Sequence, residues 1–600
     1  MKKLTALLAM CLLLTACTPK NNTTTSTSTT KATTTTTTAT TTTAQTSSTT
    51  QTTTQTTTTT QSYPEYDAVI EIPSGAINVV TEWGVKEGEG FASQNYSTLS
   101  SRLRQVANGS VVYFPAGSYE LSGSITLSSK KNIHIVGEHS TIVRCGVTNT
   151  ANNQASSVFR VENCENITFE GLVFKYDVPT SLSGIITEKT SNTITVQITD
   201  GSQITGQEYV TIINSFTNEG VVNKKFEQYA SSHFPAEKLS ENVIRLSGVA
   251  ASASAIGMRV CLRLSTGSEY IFKLRNTTAT TFKNVTIRNS LNGGIHVDSR
   301  CKDLTLDNVW VKPEKSDHLM STNADILHIA SLGGTLSIDN CHFEKPGDDC
   351  VNVHDMAYTV SGVNGNRVSV TAPRFSFSSS WAKAGDTIEF YDAQTFACLG
   401  TATVSSISGQ TFTFNALPAG VQAGTVISNL SMHPSSVTIK NTTVENNRAR
   451  GFLLQNKNVT VESCTFKNTA LAAILVAPDL DYWYEMSPAS NVVIKNNVFE
   501  NCGNYAWGPI QFSTDHDDSA KQYPAYIHSD IVVTGNTFIT SNNRTTAFYG
   551  VCIENIEFTD NNFDDFKGKY ITLTYSNDVT LDEIANTKTN FTEVTEVVIQ

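Results

Sequence analysis

Two short stretches hold the residues whose types and spacing can do chemistry: "STNADILHI" at 321–329 and "KPGDDCVNVHD" at 345–355. Asp348 and Asp349 are adjacent, directly after Gly347, and Asp325 precedes Asp348 by 23 positions. Like charges this close resist joint ionisation, so such a group holds a proton on one member near neutral pH. A protonated carboxyl beside an ionised one is the equipment of general acid–base catalysis. Two blander readings use the same residues: an acidic cluster that binds Ca²⁺, and Asx side chains that cap a turn.

The elements that must position these residues repeat along the chain. The phrases "ENITFEGLVF", "KDLTLDNVWV", "GTLSIDNCHF", "SSVTIKNTTV", "KNVTVESCTF", "SNVVIKNNVF" and "SDIVVTGNTF" each set apolar residues at alternate positions and then turn on Asn or Gly. Some neighbouring units lie about 22 to 25 residues apart. Alternation buries one face of a strand, and a short-strand period of this length is a solenoid signature. The fold class expected is all-β: a right-handed parallel β-helix whose coils stack at roughly 4.8 Å. A solenoid end needs a cover. The stretch "NYSTLSSRLRQVANG" (95–109) supplies one, with Leu99, Leu103 and Val106 at helical spacing and a stop at Asn108-Gly109.

Residues 177–265 and 357–432 break the period. They read as antiparallel hairpins joined by Gly/Asn turns, so two small antiparallel β-barrel-like insertions are expected. They would divide the coils into a first set (63–176), a central set (266–356) and a C-terminal set (433–600).

Placed on coils, Ala324 and Ile326 point inward and send Asn323 and Asp325 outward, while Val351 and Val353 do the same for Asn352 and His354, which makes Asn323, Asn352 and His354 candidate substrate contacts. Gly347, after Pro346, permits a bend that brings Asp348 and Asp349 to one face. Three carboxylates then converge on one outer surface about one coil apart. That arrangement suits glycoside hydrolysis with inversion, in which an acid and a base roughly 6.5–9.5 Å apart flank the sugar. Arg448 and Arg450 in "NNRARGFLL" alternate outward and can donate to sugar hydroxyls or form surface ion pairs. In "DYWYE" (481–485), Trp483 and Tyr484 offer rings for the apolar side of a sugar and Glu485 an acceptor; a packed loop is the alternative.

The net charge of −12 argues against nucleic acid and strongly acidic polymers. The N-terminal "MKKLTALLAMCLLLTAC" reads as an export signal (1–17), and its Leu-Thr-Ala-Cys ending resembles a bacterial lipobox, which implies lipidation at Cys17. Residues 18–62 are almost all Thr, too poor in apolar residues for a core, and read as a disordered linker. The body is thus expected to be lipid-anchored on the extracellular face of a bacterial cell membrane. Ten further Cys, mostly at one place in the repeated phrase, read mainly as small buried residues, with one or two disulfides allowed.

"NAD" followed one coil later by "GDD" resembles the Asn-x-Asp and Gly-x-Asp-Asp pattern of polygalacturonase-type β-helix glycosidases. "NNRARGFLL" (446–454), "AAILVAPDLDYWYE" (472–485) and "VVIKNNVFENCG" (492–503) are more similar to glycoside hydrolase family 110. That resemblance runs over nearly the whole folded body. It implies an inverting exo-α-1,3-galactosidase acting on blood-group-B-type or linear α-galactosyl glycans, with no cofactor and no metal. Asp325, Asp348 and Asp349 become the catalytic carboxylates. By analogy with polygalacturonases, Asp348 is the acid, and Asp349 and Asp325 position and deprotonate water. The polygalacturonase Gly-His-Gly element is missing and "RAR" replaces its Arg-x-Lys, which counts against a uronic-acid substrate. The expected partners are therefore α-galactosyl oligosaccharides and, through the lipid, a membrane; a homodimer is compatible with the insertions. The rivals are another β-helix polysaccharide-degrading enzyme, hydrolase or lyase, and a non-catalytic carbohydrate-binding solenoid.

Overall fold

The computed structural model describes residues 70–145, 157–264, 269–374, 376–480, 482–514 and 526–600. The expected signal, Cys17 and the Thr-rich linker lie outside the described residues.

The alternating strands stack in register into a 32-stranded parallel sheet, one column of which carries the site. Strand Phe272–Arg275 pairs with Ile295–Asp298, and the pairing continues through Leu327–Ile329, Val351–Val353, Phe452–Leu454, Ile474–Val476 and Ile510–Phe512. Ile295, Leu327, Val351, Phe452, Ile474 and Ile510 share one register position and are all buried, because the period-2 pattern places them on the inner face of every coil. The outer face of the same column runs His296, His328, Asn352, Leu453, Leu475 and Gln511.

Stacking of like on like fills the core. Phe466, Phe499 and Phe538 lie nearly parallel on successive coils, 5.0 and 5.1 Å between centroids. The turn asparagines adopt left-handed backbone, with φ of 52° at Asn284 and 55° at Asn308, a conformation Asn tolerates. Their amides also form a ladder, Asn308 Nδ2 donating to Asn284 Oδ1 at 2.7 Å. Cys164, Cys341 and Cys464 are free and buried, and their thiols donate to carbonyls of the preceding coil at Leu127, Leu306 and Ile439. Among the described residues no pair of cysteines is bonded.

The helix that covers the N-terminal coils is Ala92–Gln105, three residues earlier at its start than the sequence spacing suggests, and it buries Leu99 and Leu103 as expected. The first insertion is a seven-stranded antiparallel sheet between Ser181 and Leu264. The second, from Tyr358 to Asn429, closes into a six-stranded barrel with its own core of Tyr358, Trp381, Phe390, Phe412 and Phe414.

Candidate active site

The strand Leu327–Ile329 and the following coil bring Asp325, Asp348 and Asp349 together: one carboxylate oxygen from each lies within 4.8 Å of the other two. Asp349 N–H donates to Asp325 Oδ1 at 3.2 Å, which ties the two coils at the cluster itself. The three are not equivalent. Asp349 is 1% exposed at its side chain and Asp325 10%, whereas Asp348 is 45% exposed and faces solvent.

Glycine at 347 works differently from the sequence expectation. The left-handed bend sits at Lys345 (φ 53°), not at Gly347. A Cβ at 347 would stand 2.7 Å from the carbonyl oxygen of Asn323 and 2.8 Å from that of Thr322, and Gly347 N–H donates to Thr322 O at 2.7 Å. Glycine is needed because two coils touch there. Asn323 corrects a second expectation. It is fully buried, and its amide donates to the carbonyls of Thr180 (2.9 Å) and Leu264 (2.7 Å), the two ends of the first insertion. Ser321, Asn323 and Ala324 are bends and Thr322 makes only an isolated bridge to Ser290, so strict alternation does not carry Asn323 outward. It pins the insertion and does not reach solvent. Asp355, next to the site on the other side, pins the barrel in the same way, accepting from Asn429 N–H at 2.8 Å and Trp381 Nε1 at 3.2 Å.

Arg448 and Arg450 both turn toward the cluster. Arg450 N–H donates to Asp349 Oδ1 at 3.0 Å and its guanidinium to Oδ2 at 2.7 Å. Arg448 donates to Gly347 O at 3.0 Å, and also to Glu227 and the Tyr229 hydroxyl of the first insertion, with Asp348 Oδ1 at 3.8 Å. Buried in this way, Arg448 holds a wall and is no free sugar donor. Lys224, from the same strand Val222–Phe234, adds a further cation; burial, with Arg448 beside it, pulls its amine down to about 8. Against its own burial, Arg448 and Lys224 hold Glu227 down at about 2. No sequence signal placed Lys224, Glu227 or Tyr229 here, because a long insertion separates them from the aspartates in sequence.

On the opposite side, Glu485–Met486 pairs antiparallel with Asp355–Met356, which sets Glu485 Oε1 3.6 Å from His354 Nε2. Burial raises the Glu485 carboxyl above the ordinary range. Asn352 and His354 take the outward side of their strand, yet insertion and loop cover them, leaving both buried. Tyr484 packs partly buried against Ala357, Tyr391 and Phe396. Trp483 is exposed, with the Arg374 guanidinium 5.1 Å from its ring centre. Tyr270, which the sequence reading overlooked, stacks on His296 at 5.0 Å between centroids. Gly293 leaves room for it, since a Cβ there would stand 2.0 Å from the Tyr270 ring.

Of the three carboxyls it is that of Asp349 which is pushed up, and burial comes before crowding as the cause. Burial, with Asp348 and Asp325 beside it and against the pull of Arg450, pushes the Asp349 carboxyl up to about 7. The nearest oxygens of the three carboxyls, within 4.8 Å of one another, lie close together for an inverting acid and base. A water donating to two carboxylates at ~2.8 Å each bridges oxygens roughly 4.6 Å apart, so the cluster is sized for one bridging water. It is the group of described residues whose oxygens converge closely enough to suit a cation. The donor set does not fit one well: Ca²⁺ takes 6–8 oxygens, and here a guanidinium and an imidazole already occupy oxygens of Asp349 and Asp325.

The chain matches the right-handed beta helix region family over residues 333–508 and glycosyl hydrolases family 28 over residues 264–371. It is 25% identical over 422 residues to Alpha-1,3-galactosidase B of Bacteroides thetaiotaomicron, covering 63% of this chain and 66% of that protein. It is 26% identical over 449 residues to Alpha-1,3-galactosidase A of Akkermansia muciniphila, covering 70% and 72%. The chain thus spans about two thirds of the length of the first of these relatives. Among solved structures, the Yersinia enterocolitica Family 28 Exopolygalacturonase aligns with 87% of this chain and 77% of its own at 12% identity and a TM-score of 0.41. The parallel coils described above and the first family match agree on a right-handed parallel β-helix with antiparallel insertions.

Proposed function

We propose that this protein is a glycoside hydrolase that releases terminal α-1,3-linked galactose. The observation that carries the proposal is the convergence of three aspartates within the family 28 match, one solvent-facing and two buried, in a chain whose curated relatives are named α-1,3-galactosidases. Asp348, the accessible member, delivers to the glycosidic oxygen, as the bond to the anomeric carbon breaks, the proton that the cluster holds, with Asp349, whose burial favours the protonated form, as its source. A water lodged between Asp325 and Asp349 forms the new bond to that carbon from the opposite face and yields its proton to Asp325. The product is then β-galactose, the inverted anomer.

The tight spacing favours one second reading. Carboxyl groups about 5–5.5 Å apart belong to retaining enzymes, in which one carboxylate attacks the sugar directly. The two differ in the anomer first released.

Blood-group-B-type and linear α-galactosyl glycans are the substrates we assign, on the resemblance of "NNRARGFLL" and "AAILVAPDLDYWYE". The same proposal extends to location: the lipobox-like Leu14-Thr15-Ala16-Cys17 and the Thr-rich stretch after it fit a lipid-anchored enzyme outside the cell membrane. Purified protein incubated with α-1,3-, α-1,4- and α-1,6-linked galactosyl disaccharides should release galactose from the first alone. Release from none of them, or equal release from all, contradicts the proposal.

A further inference from the structure

Behind Asp325, on the side away from Asp348, two histidines on successive coils form a hydrogen-bonded chain. His328 Nδ1 lies 2.6 Å from Asp325 Oδ2, and His328 Nε2 lies 3.2 Å from His354 Nε2. The two rings meet edge to face, 5.1 Å apart at 87°. His354 Nδ1 in turn lies 3.4 Å from the carbonyl oxygen of Asp355.

The protons on this chain follow from what each partner can offer. A backbone carbonyl only accepts, so His354 Nδ1 carries a proton and donates to Asp355 O. His354 is buried, and burial with His328 beside it pulls its imidazole down to about 3; Glu485 Oε1, 3.6 Å from Nε2, lies beyond hydrogen-bond reach, so the ring is neutral and its Nε2 is bare toward His328. A bare Nε2 accepts, and the proton in the contact between the two rings must therefore sit on His328 Nε2. His328 Nδ1 faces a carboxylate at 2.6 Å and donates as well. His328 then carries protons on both nitrogens and is a cation. The groups around it agree. Burial opposes its protonation, but the hydrogen bond and charge of Asp325, with Glu485 and Asp349, outweigh it and raise His328 above the ordinary imidazole range. From the preceding coil, Tyr270 stacks on His296, and His296 is held neutral, down to about 3, mainly by burial.

We infer that His354 is a positioning residue which, by accepting from His328 Nε2–H, keeps His328 as an imidazolium that orients the Asp325 carboxylate toward the cluster. This deepens the hydrolase reading and rests on it for the role of Asp325 as base. It replaces a sugar contact for His354, whose side chain is 1% exposed. With Oδ2 fixed by His328 and Oδ1 by Asp349 N–H, the Asp325 carboxylate has one orientation, and its remaining lone pairs are left for the water. Removing the His354 acceptor leaves a buried N–H without a partner, which disfavours the doubly protonated ring.

The test has two arms. In the first, ¹⁵N NMR of the histidine side chains of the whole protein at pH 7 should show His328 with both nitrogens protonated and His354 neutral with its proton on Nδ1; a neutral His328, or a His354 proton on Nε2, overturns the inference whatever the activity. In the second, made once galactose release by the wild type is in hand, His354→Leu should lower kcat roughly 10- to 100-fold with KM changed less than about 3-fold. His354→Gln keeps an acceptor near the Nε2 position and should recover most of that loss. A rise in KM alone would mean a sugar contact, and a loss that His354→Gln does not recover a merely structural residue; either overturns the inference. An inactive wild type would sink the hydrolase reading, while the NMR arm still decides the protonation of the pair.

Discussion

Arg450 closes on both oxygens of Asp349, its backbone N–H on Oδ1 at 3.0 Å and its guanidinium on Oδ2 at 2.7 Å, although 101 positions separate the two residues. The barrel insertion lies between them in sequence, while in space they occupy consecutive coils, Val351–Val353 beside Phe452–Leu454. A carboxyl as buried as that of Asp349 needs such a partner, since an unpaired charge there would be strongly disfavoured.

Arg450→Leu should therefore destabilise the fold by about 3 kcal/mol, the order found when one partner of a buried pair is removed. Arg450→Lys should restore only part of this, because an ammonium cannot reproduce the planar guanidinium contact. Urea unfolding followed by circular dichroism reads both; equal stability of wild type and Arg450→Leu would refute the pairing.

The raised Asp349 carboxyl makes a pH statement with a definite sign. Its folded pKa, about 7, stands above the ordinary carboxyl value of 3.8, so the folded state holds this proton more tightly than the unfolded chain does. The contribution to stability is fully present below about pH 3.8 and is lost as pH rises through 7. Asp349→Asn removes that dependence. The melting temperature of the variant relative to wild type should increase between pH 4.5 and 7.5; a constant difference would contradict the assignment.

Substituting the acids should abolish turnover without unfolding the coils. Asp348→Asn is expected to cost at least ~10³-fold in kcat, and Asp325→Asn a similar amount, as loss of a positioned acid or base does. Because Asp348 is exposed, its substitution should leave the melting temperature within about 1 °C. Activity retained within 10-fold in Asp348→Asn would take the acid role from Asp348, whereas glycan binding without turnover in the wild type would favour the non-catalytic binding solenoid.

Asn323 gives the opposite pattern. Asn323→Ala strips a donor from the carbonyls of Thr180 and Leu264, and each buried carbonyl left without a partner costs about 1–3 kcal/mol. Loss of stability with KM unchanged within about 2-fold is expected. A raised KM at unchanged stability would return Asn323 to the sugar.

The coils were legible in the sequence because their logic is local. Alternation of Val351 and Val353 with Asn352, the Asn turns and the buried Cys of "NCHF" or "SCTF" all follow from neighbours a few residues apart. The meeting of Asp325 with Asp348 and Asp349 needed only one further fact, the coil period. What stayed hidden depends on distant segments. Glu227 and Tyr229 reach Arg448 across more than 200 positions, and the chain alone gives no measure of where an insertion folds back. Asn323 was misread because strand alternation was extended into a bend. The protonated member was misplaced because the sequence shows that Asp348 and Asp349 are neighbours but not that only Asp349 is buried. Tyr270 carries no motif and enters the site through its stack on His296 and its ring contact with His328, 6.3 Å between centres.

The account stands most directly on the anomer released. ¹H NMR during the first minutes of hydrolysis of a linear α-1,3-galactosyl oligosaccharide, and of its fucosylated blood-group-B-type counterpart, should show the β-galactose H1 doublet appear first and the α signal grow later by mutarotation. An α signal that appears first would replace the bridging water with direct attack by one of the aspartates, and would contradict the mechanism proposed for this cluster.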